Sequence, residues 1–206
     1  MRGRFITLEG GEGVGKSTQA RMLAAALEER GHNPLITREP GGTPGAEAIR
    51  SLLLDPAQHF GPASETLLFA AARADHVAQA IEPALAAGRW VVCDRFLDST
   101  RAYQGGEGGL THADICTLHA VGSRGLLPDL TLLLSAAPEQ VADRLAARDG
   151  DSSDRIGGRP ADYHRAVGAR FAALAAMEPQ RFRLIEATGS PEEVHARIMT
   201  AVEALA

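Results

Sequence analysis

The stretch "GGEGVGKS", residues 10–17, decides how the rest of the chain reads. It carries G-x-x-x-x-G-K-[ST] with Gly10, Gly15, Lys16 and Ser17 in register. Glycines at this spacing let successive backbone N–H groups turn inward around an anion, with no Cβ in the way. A helix opening near Gly15 adds the positive end of its dipole. Of the 21 basic residues, Lys16 is the one lysine and all the others are arginine. That asymmetry makes sense if the site demands a compact ammonium on a flexible stem, since a planar guanidinium fork does not fit within a ring of amides. The Ser17 hydroxyl is of the kind that meets Mg²⁺. An ordinary glycine turn before a helix is the competing reading, and the flanks decide against it.

"RFITLEG" (4–10) ahead of the motif is a short β-rich run ending in glycine, and "KSTQARMLAAALEERG" (16–31) behind it has helical apolar spacing closed by Gly31. Strand, loop and helix therefore fall where a phosphate-binding P-loop needs them. The alternation continues along the chain. "NPLITRE" (33–39) reads as a strand, 44–54 as a helix after the turn-rich "PGGTPG", and 63–87 as an alanine-rich helical stretch that is broken or kinked and stops at Pro83 or Gly88. "RWVVCD" (89–94), "DLTLLLSA" (129–136) and "FRLIEAT" (182–188) are apolar runs of strand length, with helices fitting between and after them. The pattern predicts an α/β P-loop NTPase fold: a doubly wound parallel sheet of about five strands with helices on both faces. No repeat or linker divides 1–206, which reads as one domain. The one break in composition, "RDGDSSDRIGGRP" (148–160), is polar, glycine-rich and arginine-bearing, and reads as a mobile flap or lid.

Composition removes other classes. With 206 residues, 45% of them hydrophobic, the chain can bury a full core. A net charge of -5, few aromatics and no basic run argue against a nucleic-acid coat. Cys93 and Cys116 match neither a disulfide framework nor zinc spacing, and read as buried thiols in a reducing compartment. Residues 1–20 lack an apolar h-region and no stretch approaches membrane-spanning length, so a soluble cytoplasmic protein is expected.

A P-loop implies a nucleoside triphosphate and stops there. "WVVCDRF" (90–96) narrows the field. An apolar strand ending in Asp94 has the form of the metal carboxylate that P-loop proteins hold beside the phosphates, with a helix-capping aspartate as the alternative. Arg95, directly after it, makes sense if a second phosphate group is gripped there. The guanine-reading N-K-x-D needs asparagine followed by lysine; the only asparagine, Asn33, precedes Pro34, so the GTPase reading fails.

With these residues in view, nearly the whole chain resembles the bacterial thymidylate kinases, a family of P-loop nucleoside monophosphate kinases. The carriers are "FITLEGGEGVGKST" (5–18), "TREPGGT" (37–43), "LLFAAARADH" (67–76), "DRFLDSTRAYQG" (94–105), "LPDLTLLL" (127–134) and the arginine-bearing flap. The resemblance implies transfer of the ATP γ-phosphoryl group to dTMP, with Mg²⁺ accompanying ATP, as a step in dTTP synthesis by a homodimer. The implied partners are ATP and dTMP, with no nucleic-acid polymer and no membrane. It implies that Gly10, Gly11, Glu12, Gly13, Val14, Gly15, Lys16, Ser17 and Thr18 hold the ATP phosphates, and that Ser17 and Asp94 serve the metal. Glu12 is also implied to reach toward the dTMP sugar, although by spacing alone it could equally be a solvated loop carboxylate. Arg38 and Glu39 look like acceptor-site and metal-side groups, or a salt bridge at a strand end. Arg50 resembles an arginine that meets the dTMP phosphate; the residues alone would leave it on the surface.

Phe69 and Arg73 are i and i+4 and share a helix face. Periodicity favours a core aromatic with a solvated arginine; the resemblance sets the Phe69 ring against thymine and the Arg73 guanidinium at a base carbonyl. It also has Arg95 clamp the dTMP phosphate, with Ser99, Thr100, Tyr103 and Gln104 lining base and sugar, although some of these four could be caps or packing residues. The flap carries Arg148, Arg155 and Arg159, with Arg144 before it. An arginine delivered by a closing segment can stabilise the charge that phosphoryl transfer spreads over the equatorial oxygens. The loop has Glu12 where some relatives carry arginine, so the resemblance assigns that task to the flap, to Arg155 in "SSDRI" first and Arg148 second. Arg144 resembles a residue that packs on adenine. Any one flap arginine could simply be solvated; several in the only glycine-rich insert are less easily dismissed.

Two departures stand out. Phe96 in "DRF" replaces a tyrosine or histidine and loses any hydrogen bond that side chain makes, and Gly157 and Gly158 should loosen the flap. Two rival readings are another nucleoside monophosphate kinase and a non-catalytic P-loop switch. Adenylate kinases typically show "GKGT" where this chain has "GKST", and a switch needs no second phosphate site.

Overall fold

The structure, a computed structural model, describes residues 2–106, 108–137, 141 and 155–205. Five strands form one sheet: β1 (Phe5–Glu9), β2 (Leu35–Arg38), β3 (Val91–Asp94), β4 (Leu130–Ser135) and β5 (Phe182–Glu186). Their order is β2-β3-β1-β4-β5 and every pairing is parallel. β1 lies at the centre and is buried along its whole length. Central parallel strands are covered on both faces, so "FITL" reads as an unbroken run instead of an alternating one.

The two-residue side-chain period divides the core into layers. Ile6, Leu8, Val92, Leu130, Leu132, Leu134 and Ile185 face Leu23 and Leu27 of α1 (Lys16–Glu29) and Val194, Ile198 and Val202 of α8 (Pro191–Glu203). On the other face Phe5, Val91 and Cys93 pack with Val77, Ile81, Leu85, Phe96 and Ile115. Leu133 and Phe182 join Phe69, Tyr103, Phe171 and Leu174. The helices there are α3 (Pro62–His76), α5 (Leu97–Tyr103), α6 (His112–Ser123) and α7 (Ala161–Met177). The expected doubly wound sheet is the observed one.

The alanine-rich stretch is interrupted as expected, by a π-helical turn at Val77–Ile81 between α3 and α4 (Glu82–Ala86). Pro83 does not stop it. It sits in the first turn of α4, where a missing N–H costs nothing, and the chain turns at Gly88, whose φ is 77°. α2 (Pro44–Leu54) opens on Thr43, whose hydroxyl accepts from the Ala46 N–H at 3.3 Å. Cys93 is buried as expected, whereas Cys116, on α6, is only half-buried, with its Sγ 3.4 Å from His112 Nε2. Among the described residues no helix is long and apolar enough to cross a membrane. Of the flap, residues 148–154 lie outside the described residues and 155–160 within them. Because β2, β3 and β1 are neighbours and parallel, their carboxyl ends bring Glu39, Asp94–Arg95 and the Gly10 loop to one edge of the sheet, where open α/β sheets form their crevices.

Candidate active site

The phosphate loop begins where β1 ends. Gly10 has φ 136°, and a Cβ there would lie 2.4 Å from the Leu134 carbonyl oxygen, so only glycine passes this point. α1 starts at Lys16, which is buried, and its Nζ donates to the Gly11 carbonyl at 2.5 Å. Burial first, and then the Arg95 charge, pulls the Lys16 pKa down to about 8. Ser17 Oγ donates to Asp94 Oδ2 at 2.5 Å, while Asp94 Oδ1 is buried with no hydrogen-bond partner among the described residues. A hydroxyl and a carboxylate with one unsatisfied oxygen suit a hard divalent cation that takes its remaining ligands from phosphate and water. Mg²⁺ therefore fits this pair. Val14 of the loop faces the core instead.

Arg95 holds a left-handed backbone, φ 70°, uncommon outside glycine. Its side chain explains how that is maintained. Nη1 donates to the Gly10 carbonyl and to Ser99 Oγ, each at 3.0 Å; Nη2 donates to Glu12 Oε1 at 2.5 Å and to the Tyr103 hydroxyl at 3.2 Å. Beneath this loop lies Glu9, fully buried, whose carboxylate accepts from the Phe96 N–H at 2.8 Å, the Ser99 N–H at 3.3 Å and the Ser99 hydroxyl at 2.6 Å. Burial, then the nearby Asp98 charge, pushes the Glu9 pKa up to about 8.

Glu65, Phe69 and Arg73 succeed one another at four-residue intervals on one face of α3. Arg73 is no solvated arginine: it is 3% exposed. Its Nε donates to Glu39 Oε2 at 2.8 Å, and its Nη2 to Thr100 Oγ1 at 2.8 Å and the Phe96 carbonyl at 3.2 Å. The guanidinium also lies 5.3 Å over the Phe96 ring. Phe96 thus exchanges a hydrogen-bonding role for a packing one, completed by edge contacts to Phe5 and His119. Arg50 donates to the Pro40 carbonyl at 2.7 Å, and Gln104 donates to Glu65 Oε1 at 3.0 Å. Arg38 does not join Glu39; it forms an exposed pair with Glu47 at 2.9 Å.

One cavity of about 680 Å³ is lined both by Glu12, Gly13 and Gly15–Thr18 and by Glu39, Arg50, Phe69, Arg73, Asp94, Arg95, Ser99, Thr100, Tyr103 and Gln104. Arg155 is not among its lining residues, although Ile156 is. Arg155 donates from Nε to the Leu53 carbonyl at 2.8 Å and pairs with Glu65 at 2.7 Å. Arg159 binds the same carboxylate at 2.7 Å and the Tyr163 hydroxyl at 2.6 Å. Arg144 and Arg148 lie outside the described residues. Sequence reasoning missed Glu9, Glu65 and His76. The only signal for Glu9 was a carboxylate placed among apolar strand residues, one position before the loop.

A P-loop at the carboxyl end of a parallel sheet, opening into one cavity that also holds a buried arginine and a phenylalanine, defines a protein of the P-loop nucleotide-binding class. The family model described as thymidylate kinase matches residues 8–198. The chain is 59% identical over 203 residues to a thymidylate kinase of Rhizorhabdus wittichii, covering 98% of each chain. It is 52% identical over 205 residues to one of Rhodopseudomonas palustris, covering 98% of this chain and 89% of the relative. The crystal structure of thymidylate kinase from Ehrlichia chaffeensis superposes with a TM-score of 0.80 at 30% identity, covering 98% of this chain and all of that one. The chain belongs to the thymidylate kinase family.

Proposed function

We propose that the P-loop half of the cavity takes ATP with Mg²⁺ and that the Phe69–Arg73 half takes dTMP. As a thymidylate kinase, the enzyme phosphorylates dTMP. The observation that carries the division of the site is that Lys16 and Asp94 line the same cavity as Phe69 and Arg73. The attacking oxygen of a nucleoside monophosphate is already anionic near neutrality, so the reaction needs no general base; it needs two anions held close and in line. Lys16 and the loop amides hold the ATP phosphates, and Arg95, tethered to Gly10 and Glu12, clamps the acceptor phosphate together with Arg50. Ser17 and Asp94 hold Mg²⁺, which when bound neutralises charge on the phosphate oxygens. Ser99, Thr100, Tyr103 and Gln104 shape the sugar and base pocket. The flap, about 148–160, supplies the transition-state arginine, Arg155 or Arg148; Arg155 must first leave Glu65 to do so. The whole of 1–206 acts as one kinase domain in the cytoplasm. It pairs as a homodimer through α2, α3 and α6, where Leu52, Leu67 and Val121 are exposed.

Within Arg73, Nε and Nη2 are occupied by protein acceptors, and Nη1 has no hydrogen-bond partner among the described residues. A donor so placed suits the carbonyl at the 4-position of thymine and opposes the amino group of cytosine. An unpaired buried donor costs roughly ten- to a hundredfold in selectivity. The thymine methyl adds about 1 kcal/mol or slightly more. The expected order of kcat/KM with ATP and Mg²⁺ is dTMP, then dUMP, with dCMP, AMP and GMP far behind. A purine preference, or dCMP equal to dTMP, would overturn the acceptor site and leave the P-loop assignment standing.

A further inference from the structure

We infer that His76, acting through Glu39, is a positioning residue that aims the Arg73 guanidinium at the acceptor base; this rests on the reading of Arg73 just given. His76 is fully buried and does not line the cavity. It sits three residues after Arg73, on the same side of α3. Its Nδ1 lies 3.1 Å from Glu39 Oε1, and its Nε2 lies 2.7 Å from Thr37 Oγ1. A carboxylate oxygen accepts, so Nδ1 donates to Glu39, while Nε2 and the Thr37 hydroxyl share the second hydrogen bond.

Both Glu39 oxygens are then committed, Oε1 to His76 and Oε2 to Arg73 Nε at 2.8 Å. The carboxylate cannot turn without breaking one of these bonds, and the guanidinium plane is fixed by Glu39 on one edge and by Thr100 and the Phe96 carbonyl on another. Gly42 completes the arrangement. A Cβ there would lie 2.5 Å from both His76 Nε2 and Thr37 Oγ1, and its φ is 89°, so a side chain is excluded on both counts. Thr37, Glu39 and Gly42 of "TREPGGT" thus converge on His76 of "ARADH", and the two motifs operate as one device.

Four variants test this: His76→Leu removes the donor, His76→Gln keeps an N–H, Thr37→Val removes the hydroxyl with little change of shape, and Arg73→Ala removes the aimed group. The readouts are kcat, KM for dTMP and for ATP, the dTMP/dCMP ratio, and Tm. His76→Leu should raise KM for dTMP about tenfold, the cost of one lost hydrogen bond to a charged group, and lower the dTMP/dCMP ratio while KM for ATP stays within about twofold. His76→Gln should recover much of the loss, and Thr37→Val should move the same parameters less far. In an Arg73→Ala background His76→Leu should add less than about twofold, because coupled residues are not additive. Full additivity, an unchanged KM for dTMP, or equal loss for both substrates would overturn the inference. If His76→Leu does not fold, the same outcomes are read from Thr37→Val. Arg73→Ala with normal KM for dTMP and normal selectivity would instead overturn the acceptor reading of Arg73 itself.

Discussion

Lys16 and Glu9 are both buried, and in each the charged form loses hydration it would have in water. For Lys16, in the site proposed above, the ATP phosphates would restore what burial takes. Lys16→Arg preserves the charge but not the shape, and should lose roughly a hundredfold or more in turnover, the scale of removing one transition-state donor. Near wild-type turnover in a variant whose circular dichroism is unchanged would refute the role. Glu9 works differently. Its pKa rises from 4.5 to about 8, so across that interval the folded protein keeps a proton that the unfolded chain has released. Stability from this group is complete below 4.5 and declines as pH rises toward about 8. Glu9→Gln retains an acceptor for the Phe96 N–H and should flatten the decline. Glu9→Leu orphans the Phe96 and Ser99 donors and should cost about 1–3 kcal/mol for each. Urea unfolding at pH values spanning that interval would reveal both effects, and a Glu9→Gln slope equal to the parent's would refute the first.

Among the elements, α3 carries Phe69 and Arg73, the side chains proposed to read the acceptor. Its four-residue spacing of Phe69 and Arg73 was legible, because an i, i+4 relation is a property of one helix. What was not legible is that Arg73 is buried. That depends on a carboxylate 34 residues away on the loop after β2, and charge neutralisation across the sheet leaves no local pattern. The same limit applies to Glu65, which holds Arg155 and Arg159 of the flap while accepting from Gln104. Arg155→Ala should lower kcat strongly, by up to roughly a thousandfold, with little change in KM for dTMP, since a contact made mainly in the transition state leaves ground-state binding alone. A change confined to KM would make Arg155 a binding residue, and Arg148→Ala measured in parallel would show which arginine carries the transition-state contact.

At the scale of the whole molecule, the strand order unites segments that lie far apart in the chain. Apolar runs of strand length and the phosphate loop announce themselves locally, and so the parallel sheet and the P-loop at its edge could be read directly. The buried ion cluster could not. Asp98 meets Arg181 at 2.6 Å and Arg101 at 2.8 Å, joining α5 to the start of β5, and nothing in "FLDSTR" signals a partner 83 residues on. The solitary lysine has a different kind of consequence, in what can cut the chain. A lysine-specific endoprotease finds one susceptible bond, Lys16–Ser17, in the first turn of a helix and with the Lys16 side chain buried. Cleavage requires that turn to open, so its rate measures the population of open molecules when opening and closing are fast. The digest should give two pieces, 1–16 and 17–206, at a rate that falls as ATP is added. The midpoint of that fall would give the nucleotide affinity without any turnover, and a cutting rate indifferent to ATP would mean that the nucleotide lies elsewhere.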